Sequence, residues 1–84
     1  MMVTAEKRKR VPVTERALVA RINRALRPDR VLKIAHPGSN LEREFGRYYV
    51  VDIHRNTVLT YHIDLVSFAR ELDCIEDFEE LVEG

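Results

Sequence analysis

Cysteine occurs once in this 84-residue chain, at Cys74, so no disulfide can close within it and a reducing, cytoplasmic setting is expected. Long apolar runs are also missing. None approaches the ~18 residues that a membrane span requires, and Met1 to Arg10 lacks the apolar stretch that follows the basic start of an export signal. A soluble protein with no membrane partner is therefore expected. Repeats and low-complexity runs are absent. The hydrophobic content of 45% is ordinary for a folded chain and argues against global disorder. A domain this small buries only roughly 60% of the surface its unfolded chain exposes, so support from a partner or from a second copy in a homo-oligomer is an open reading.

Two further absences are more telling. No acid falls between Arg16 and Arg27, and no base falls between Glu71 and the end, although seven acids lie there. Residues 1–33 carry ten Lys and Arg against three Asp and Glu, whereas residues 34–84 carry four against eleven. The net charge of zero thus conceals halves at +7 and −7. Separated charge blocks create local potentials that the net charge hides.

Residues 1–12 hold Lys7, Arg8, Lys9 and Arg10 in a row with few apolar neighbours, so a flexible basic tail is expected there, followed by one domain over 13–84. Thr14 can cap a helix, with Val13 stapled to Leu18. Leu18, Val19, Ile22, Ala25 and Leu26 then recur at helical spacing until Pro28 disfavours helix at Arg27. Val31 to Ala35 reads as a strand with Leu32 and Ile34 on one face and Lys33 on the other. Ser39 followed by Glu42 forms a capping-box pattern for a single short turn of helix, which Gly46 ends.

Arg47 to Ile53 and Thr57 to Ile63 read as a β-hairpin. A three-residue loop, His54-Arg55-Asn56, would place Asn56 in the left-handed conformation that Asn tolerates. It would pair Ile53 with Thr57, Val51 with Leu59 and Tyr49 with Tyr61, and so gather Tyr49, Val51, Ile53, Leu59, Tyr61 and Ile63 on a buried face. Tyr48 and His62 would be accessible, with Tyr48 free to stack a base. Asp64 caps a second helix with the stripe Leu65, Phe68, Ala69, Leu72 and Ile75, and Phe78, Leu81 and Val82 suggest one or two further helical turns. The expected fold class is α+β: a small antiparallel sheet of a hairpin and one short strand, packed against an N-terminal and a C-terminal helix, in the order α-β-(short α)-β-β-α.

Function is sought in binding. Arg16, Arg21, Arg24 and Arg27 lie opposite the apolar stripe and, with Lys7, Arg8, Lys9 and Arg10, form the footprint expected of a surface that binds the phosphates of DNA or RNA. A solvated face that merely keeps the helix soluble is the plain alternative. Glu76, Asp77, Glu79, Glu80 and Glu83 admit three readings: a solubilising tail, a segment folded back on the basic helix, or a negative surface offered to a basic protein partner. His36, His54, His62, Asp52 and Asp64 do not converge in this arrangement, so neither a metal site, a catalytic site nor a cofactor is expected. Acidic neighbours should raise the Cys74 thiol pKa and blunt its reactivity.

The element order is similar to that of the double-stranded-RNA-binding domain. That family grips phosphates with lysines at the start of its last helix, where this chain has Asp64-Leu65-Val66-Ser67, so membership does not follow. Val13-Thr14-Glu15-Arg16-Ala17-Leu18, Gly46-Arg47-Tyr48-Tyr49-Val50-Val51-Asp52 and His62-Ile63-Asp64-Leu65 resemble a family of short uncharacterised bacterial proteins found on phages, plasmids and integrated elements. The resemblance implies a bacterial cytoplasmic setting and an accessory role, with no activity attached. The expected function is that of a non-enzymatic accessory or regulatory protein binding nucleic acid, or else a protein-interaction module or inhibitor that presents its acidic end.

Overall fold

The computed structural model describes residues 10–82 and begins in a short strand, β1 (Val11–Thr14). Thr14 closes this strand and caps helix α1 (Glu15–Leu26), its hydroxyl accepting from the Ala17 N–H at 3.1 Å. The cap satisfies one of the four N–H groups that a helix start leaves without partners. Leu18, Ile22 and Leu26 recur along one side of α1 and are almost fully buried, each contributing about 1.5–3 kcal/mol by removal from water.

Strand β2 (Arg30–Ile34), helix α2 (Asn40–Phe45), strand β3 (Tyr48–Asp52), strand β4 (Thr57–Thr60), helix α3 (Leu65–Glu71) and strand β5 (Glu79–Val82) follow. The first three of these strands form an antiparallel sheet in the order β2-β3-β4. The fold class is thus α+β, with a small antiparallel sheet and helices. Ser39 caps α2 through the Glu42 N–H, while the Glu42 carboxylate reaches back to the Gly38 N–H at 2.7 Å. Gly46 ends α2 at φ +82°, where a Cβ would stand 2.8 Å from His62 Nδ1, so turn and close approach both require glycine. Asp64 caps α3, accepting from the Ser67 N–H at 3.1 Å.

The core joins Leu18, Ile22 and Leu26 of α1 to Leu32 of β2, Val50 of β3, Leu65 and Ala69 of α3, Val13 and Ile75. Leu32 and Val50 are direct cross-strand partners, which fixes the sheet face that meets α1. This corrects the expected hairpin face. Val50 is 2% exposed, whereas Leu59 is 47% and Tyr61 56% exposed, and Ile53 is open as well. Tyr49 is buried as expected, but beneath Phe45 of α2 rather than in the main core. Tyr48 packs against that core and is partly buried, less open than expected.

Asp52 explains part of the difference. Its carboxylate accepts from the His54 and Arg55 N–H groups, so the loop starts one residue earlier than expected and runs over residues 53–56. Asp52 therefore pairs with Thr57 and Val51 with Val58, and a bulge then brings Val50 opposite Thr60, which restores the expected register. Asn56 does adopt φ +54°.

The two ends hold the larger surprise. Val11 and Pro12, expected in the tail, belong to β1, and the segment expected to form helical turns is β5, paired parallel to β1 from Val11–Glu79 to Thr14–Val82. A segment this short cannot hold helix alone, and the backbone groups of β1 offer it a ladder instead.

These burial patterns set an expectation for stability. Val50→Ala should destabilise the protein by about 1–3 kcal/mol in urea unfolding, and Leu59→Ala by no more than about 0.5 kcal/mol. Equal losses at the two positions would show that α1 does not cover the Val50 face.

Candidate nucleic-acid interface

An α-helix advances 100° per residue, so Arg16, Arg24 and Arg27 fall within a quarter-turn of one another, on the side opposite Leu18, Ile22 and Leu26. All three are exposed, and among the described residues none of them takes part in an ion pair. They extend over about 16 Å of helix axis at 1.5 Å per residue. Ala17 and Ala20 between them are small and leave the guanidinium groups prominent.

Arg21 stands apart from this set. Its guanidinium makes a bidentate fork to Glu79 of β5, with NH1 to Oε1 at 2.8 Å and NH2 to Oε2 at 2.9 Å, and NH1 also donates to the Cys74 carbonyl at 3.0 Å. Of the open readings of the acidic end, the structure has the fold-back. The Arg21 fork, with a backbone hydrogen bond from Glu76, holds the Glu79 carboxyl down at about 2. In turn Glu79 raises the Arg21 pKa. Arg10 NH1 donates to the Asp77 carbonyl at 2.8 Å, a second link between the ends. Glu76, Asp77 and Glu80 are exposed. Lys7, Arg8, Lys9 and Glu83 lie outside the described residues.

The remaining candidates are dispersed. His54 Nε2 lies 2.9 Å from Asp29 Oδ1 at the exposed loop end of the sheet, and among the described residues no three His, Cys, Asp or Glu side chains are grouped to hold a metal ion. Cys74 is half-buried, and burial first, with Asp73 behind it, pushes its thiol pKa up against the pull of Arg21. Acidic neighbours are thus the lesser cause. Among the described residues no helix is long and apolar enough to cross a membrane.

One cluster was invisible in the sequence. Glu15 Oε2 accepts from the Tyr48 hydroxyl and from Arg47 NH2 at 3.2 Å, and the Arg47 guanidinium carbon sits 5.8 Å from the Tyr48 ring centroid. These contacts occupy the Tyr48 hydroxyl and place Arg47 near its ring, so the ring is less free to stack a base than expected. The Tyr48 hydrogen bond, aided by Arg47, lowers the Glu15 pKa against a smaller effect of burial. The cluster borders an open cavity of about 540 Å³ between the start of α1, the end of β2 and α2. Arg47-Tyr48 is a visible dipeptide, but Glu15 precedes it by 32 residues, and no local pattern connects them.

No family model, curated protein or solved structure matches the chain.

The fork has a pH signature. A carboxyl lowered from its ordinary 4.5 to about 2 contributes stability above pH 4.5, and this contribution is lost as pH falls toward 2. Glu79→Gln should therefore be less stable than the parent at pH 7, and the two melting temperatures should converge as the pH is lowered through that window. A constant gap from pH 7 to pH 2 would mean that the charge of Glu79 contributes nothing.

Proposed function

We propose that the protein is a non-enzymatic accessory or regulatory factor that binds nucleic acid by its phosphates, through Arg16 and Arg24 of α1 and Arg27 at its C-terminal cap, together with the basic arm Lys7, Arg8, Lys9 and Arg10. The observation that carries this reading is the exposure of the three helix arginines with no acid paired to them, while Arg21 on the same helix is neutralised by Glu79. Cations held on a rigid helix and left unpaired are what a polyanion recognises. Duplex DNA presents one charge per about 1.7 Å of axis, so a row of about 16 Å meets several phosphates at once. The rival reading, an acidic surface for a basic partner, is less well supported because Glu79 is already committed to Arg21.

Phosphate binding releases counterions, and the slope of log affinity against log salt counts the contacts at about −0.9 each for duplex DNA. Arg16→Gln and Arg24→Gln should each make that slope shallower by about 0.9 and weaken binding to all sequences alike, as read by fluorescence anisotropy on a labelled duplex. Glu79→Gln should steepen the slope by freeing Arg21 and should tighten binding at low salt. Absence of binding to both duplex and single-stranded DNA at 20 mM salt, on the order of a 20 Å Debye length, would sink the proposal.

A further inference from the structure

The cavity at the start of α1 is lined by Glu15, Ile34, His36, Pro37, Leu41 and Arg47, and its volume falls in the range of sites that hold small organic groups. Ile34 is 44% and Leu41 46% exposed, so two large aliphatic side chains stand uncovered beside it. The polar wall is equally specific. Glu15 Oε2 is committed to Tyr48 and Arg47, whereas Oε1 accepts no hydrogen bond from the described residues. Arg47 carries five N–H donors, and most of them are unspent. An ionised acceptor and a cationic donor therefore lie side by side against an apolar floor.

This pairing selects by charge. A phosphate would meet Glu15 as well as Arg47 and an ammonium group Arg47 as well as Glu15, so neither gains net attraction and the group that fits best is neutral. It must also carry a donor and an acceptor on one edge. One residue of an extended peptide can supply both, but the unpaired arginines of α1 point to a nucleic-acid strand as the source. A nucleobase supplies both, since adenine, guanine and cytosine each offer adjacent donors and acceptors along an edge, and the flat faces of a base suit aliphatic walls such as Ile34, Pro37 and Leu41. Arg16 lies about 100° round α1 from Glu15, so a strand that seats a base in the cavity must turn about the start of the helix to bring its phosphates to the arginines.

We infer that this cavity takes one unstacked base of a single-stranded nucleic acid, with Glu15 Oε1 accepting from the base, Arg47 donating to it, and Ile34, Pro37 and Leu41 packing on its face. The inference rests on the phosphate-binding role of α1 and adds to it a preference for single strands, because a base paired and stacked in a duplex cannot enter the cavity.

The test compares a labelled single-stranded DNA decamer of mixed sequence with an abasic strand of the same length and charge. A well-made pair of base contacts discriminates by about 1–3 kcal/mol, so the intact strand should bind about 5- to 150-fold more tightly. Leu41→Ala should collapse that ratio toward one while leaving affinity for the abasic strand close to the parent's, and Glu15→Gln should lower the ratio while tightening both strands by removing a negative charge beside Arg16. Leu41 is surface-exposed, so its truncation leaves the fold readable even if Glu15→Gln loosens the start of α1. Equal affinity for the intact and abasic strands overturns the base site and leaves phosphate binding standing. The base site is equally overturned if Leu41→Ala leaves the ratio unchanged, or if the cavity instead captures a peptide without showing any base dependence. Failure of both strands to bind at low salt overturns the phosphate reading, and the base site with it.

Discussion

The Arg21–Glu79 fork is the interaction on which the arrangement of this protein turns. It crosses between the basic and the acidic halves of the sequence, and it fastens β5 beside the helix that β1 leads into. The Glu79 side chain is nearly buried while that of Arg21 is partly open to solvent. An exposed ion pair would contribute little, but a planar guanidinium meeting a carboxylate through two parallel hydrogen bonds also imposes a geometry. The charge asymmetry is therefore partly resolved inside the fold. What is left over on α1 and its C-terminal cap is three arginines facing water.

Legibility in the sequence followed the range of the interactions. Thr14, Ser39 and Asp64 each bond to an N–H three residues on, and all three caps were readable from residue types alone. The stripe Leu18, Ile22 and Leu26 was readable for the same reason. Hairpin register is set by neighbours at middle distance, and here Asp52 moved the loop start by one residue, which shifts the pairing below the bulge. The choice of buried face was harder still. Tyr49, Val51, Ile53, Leu59 and Tyr61 form the more apolar of the two faces, yet α1 packs on Val50 and Leu32. Composition of one strand cannot reveal where a distant helix will lie. The β1–β5 pair joins residues nearly seventy positions apart, and its parallel sense cannot follow from any local turn signal.

The same distinction governs the candidate site. Arg16, Arg24 and Arg27 could be assigned to an outer face because helical periodicity is a local property. Arg21 sits at the border of that face, about 60° round the helix from Arg24, and its separate role follows only from its partner on β5. Glu15 is a first-turn acid, well placed against the helix dipole. Its bond to Tyr48 gives it a second identity that depends on the sheet being assembled. The structural and surface roles of residues in so small a domain can thus be separated only in three dimensions.

Register offers a reason for an ion pair, rather than an apolar contact, at the junction of the ends. Side chains along β5 alternate, so Glu79 and Leu81 share one side and Glu80 and Val82 the other. Leu81 packs against the core, and Glu79 meets Arg21. A slip of one residue would turn both of them away from α1. With a slip of two, Leu81 would stand where Glu79 belongs, and Arg21 would be left facing a hydrocarbon. An apolar residue at position 79 would tolerate that second slip, because Leu81 could replace it at little cost. The fork does not tolerate it, since a guanidinium deprived of its carboxylate loses two charge-assisted hydrogen bonds at once. A short parallel pair has few other means of fixing its alignment, and a polar contact that specifies register is the best-attested use of such pairs. Arg21 is in this sense withheld from the exposed arginine face of α1 by the need to hold the chain's two ends in one alignment.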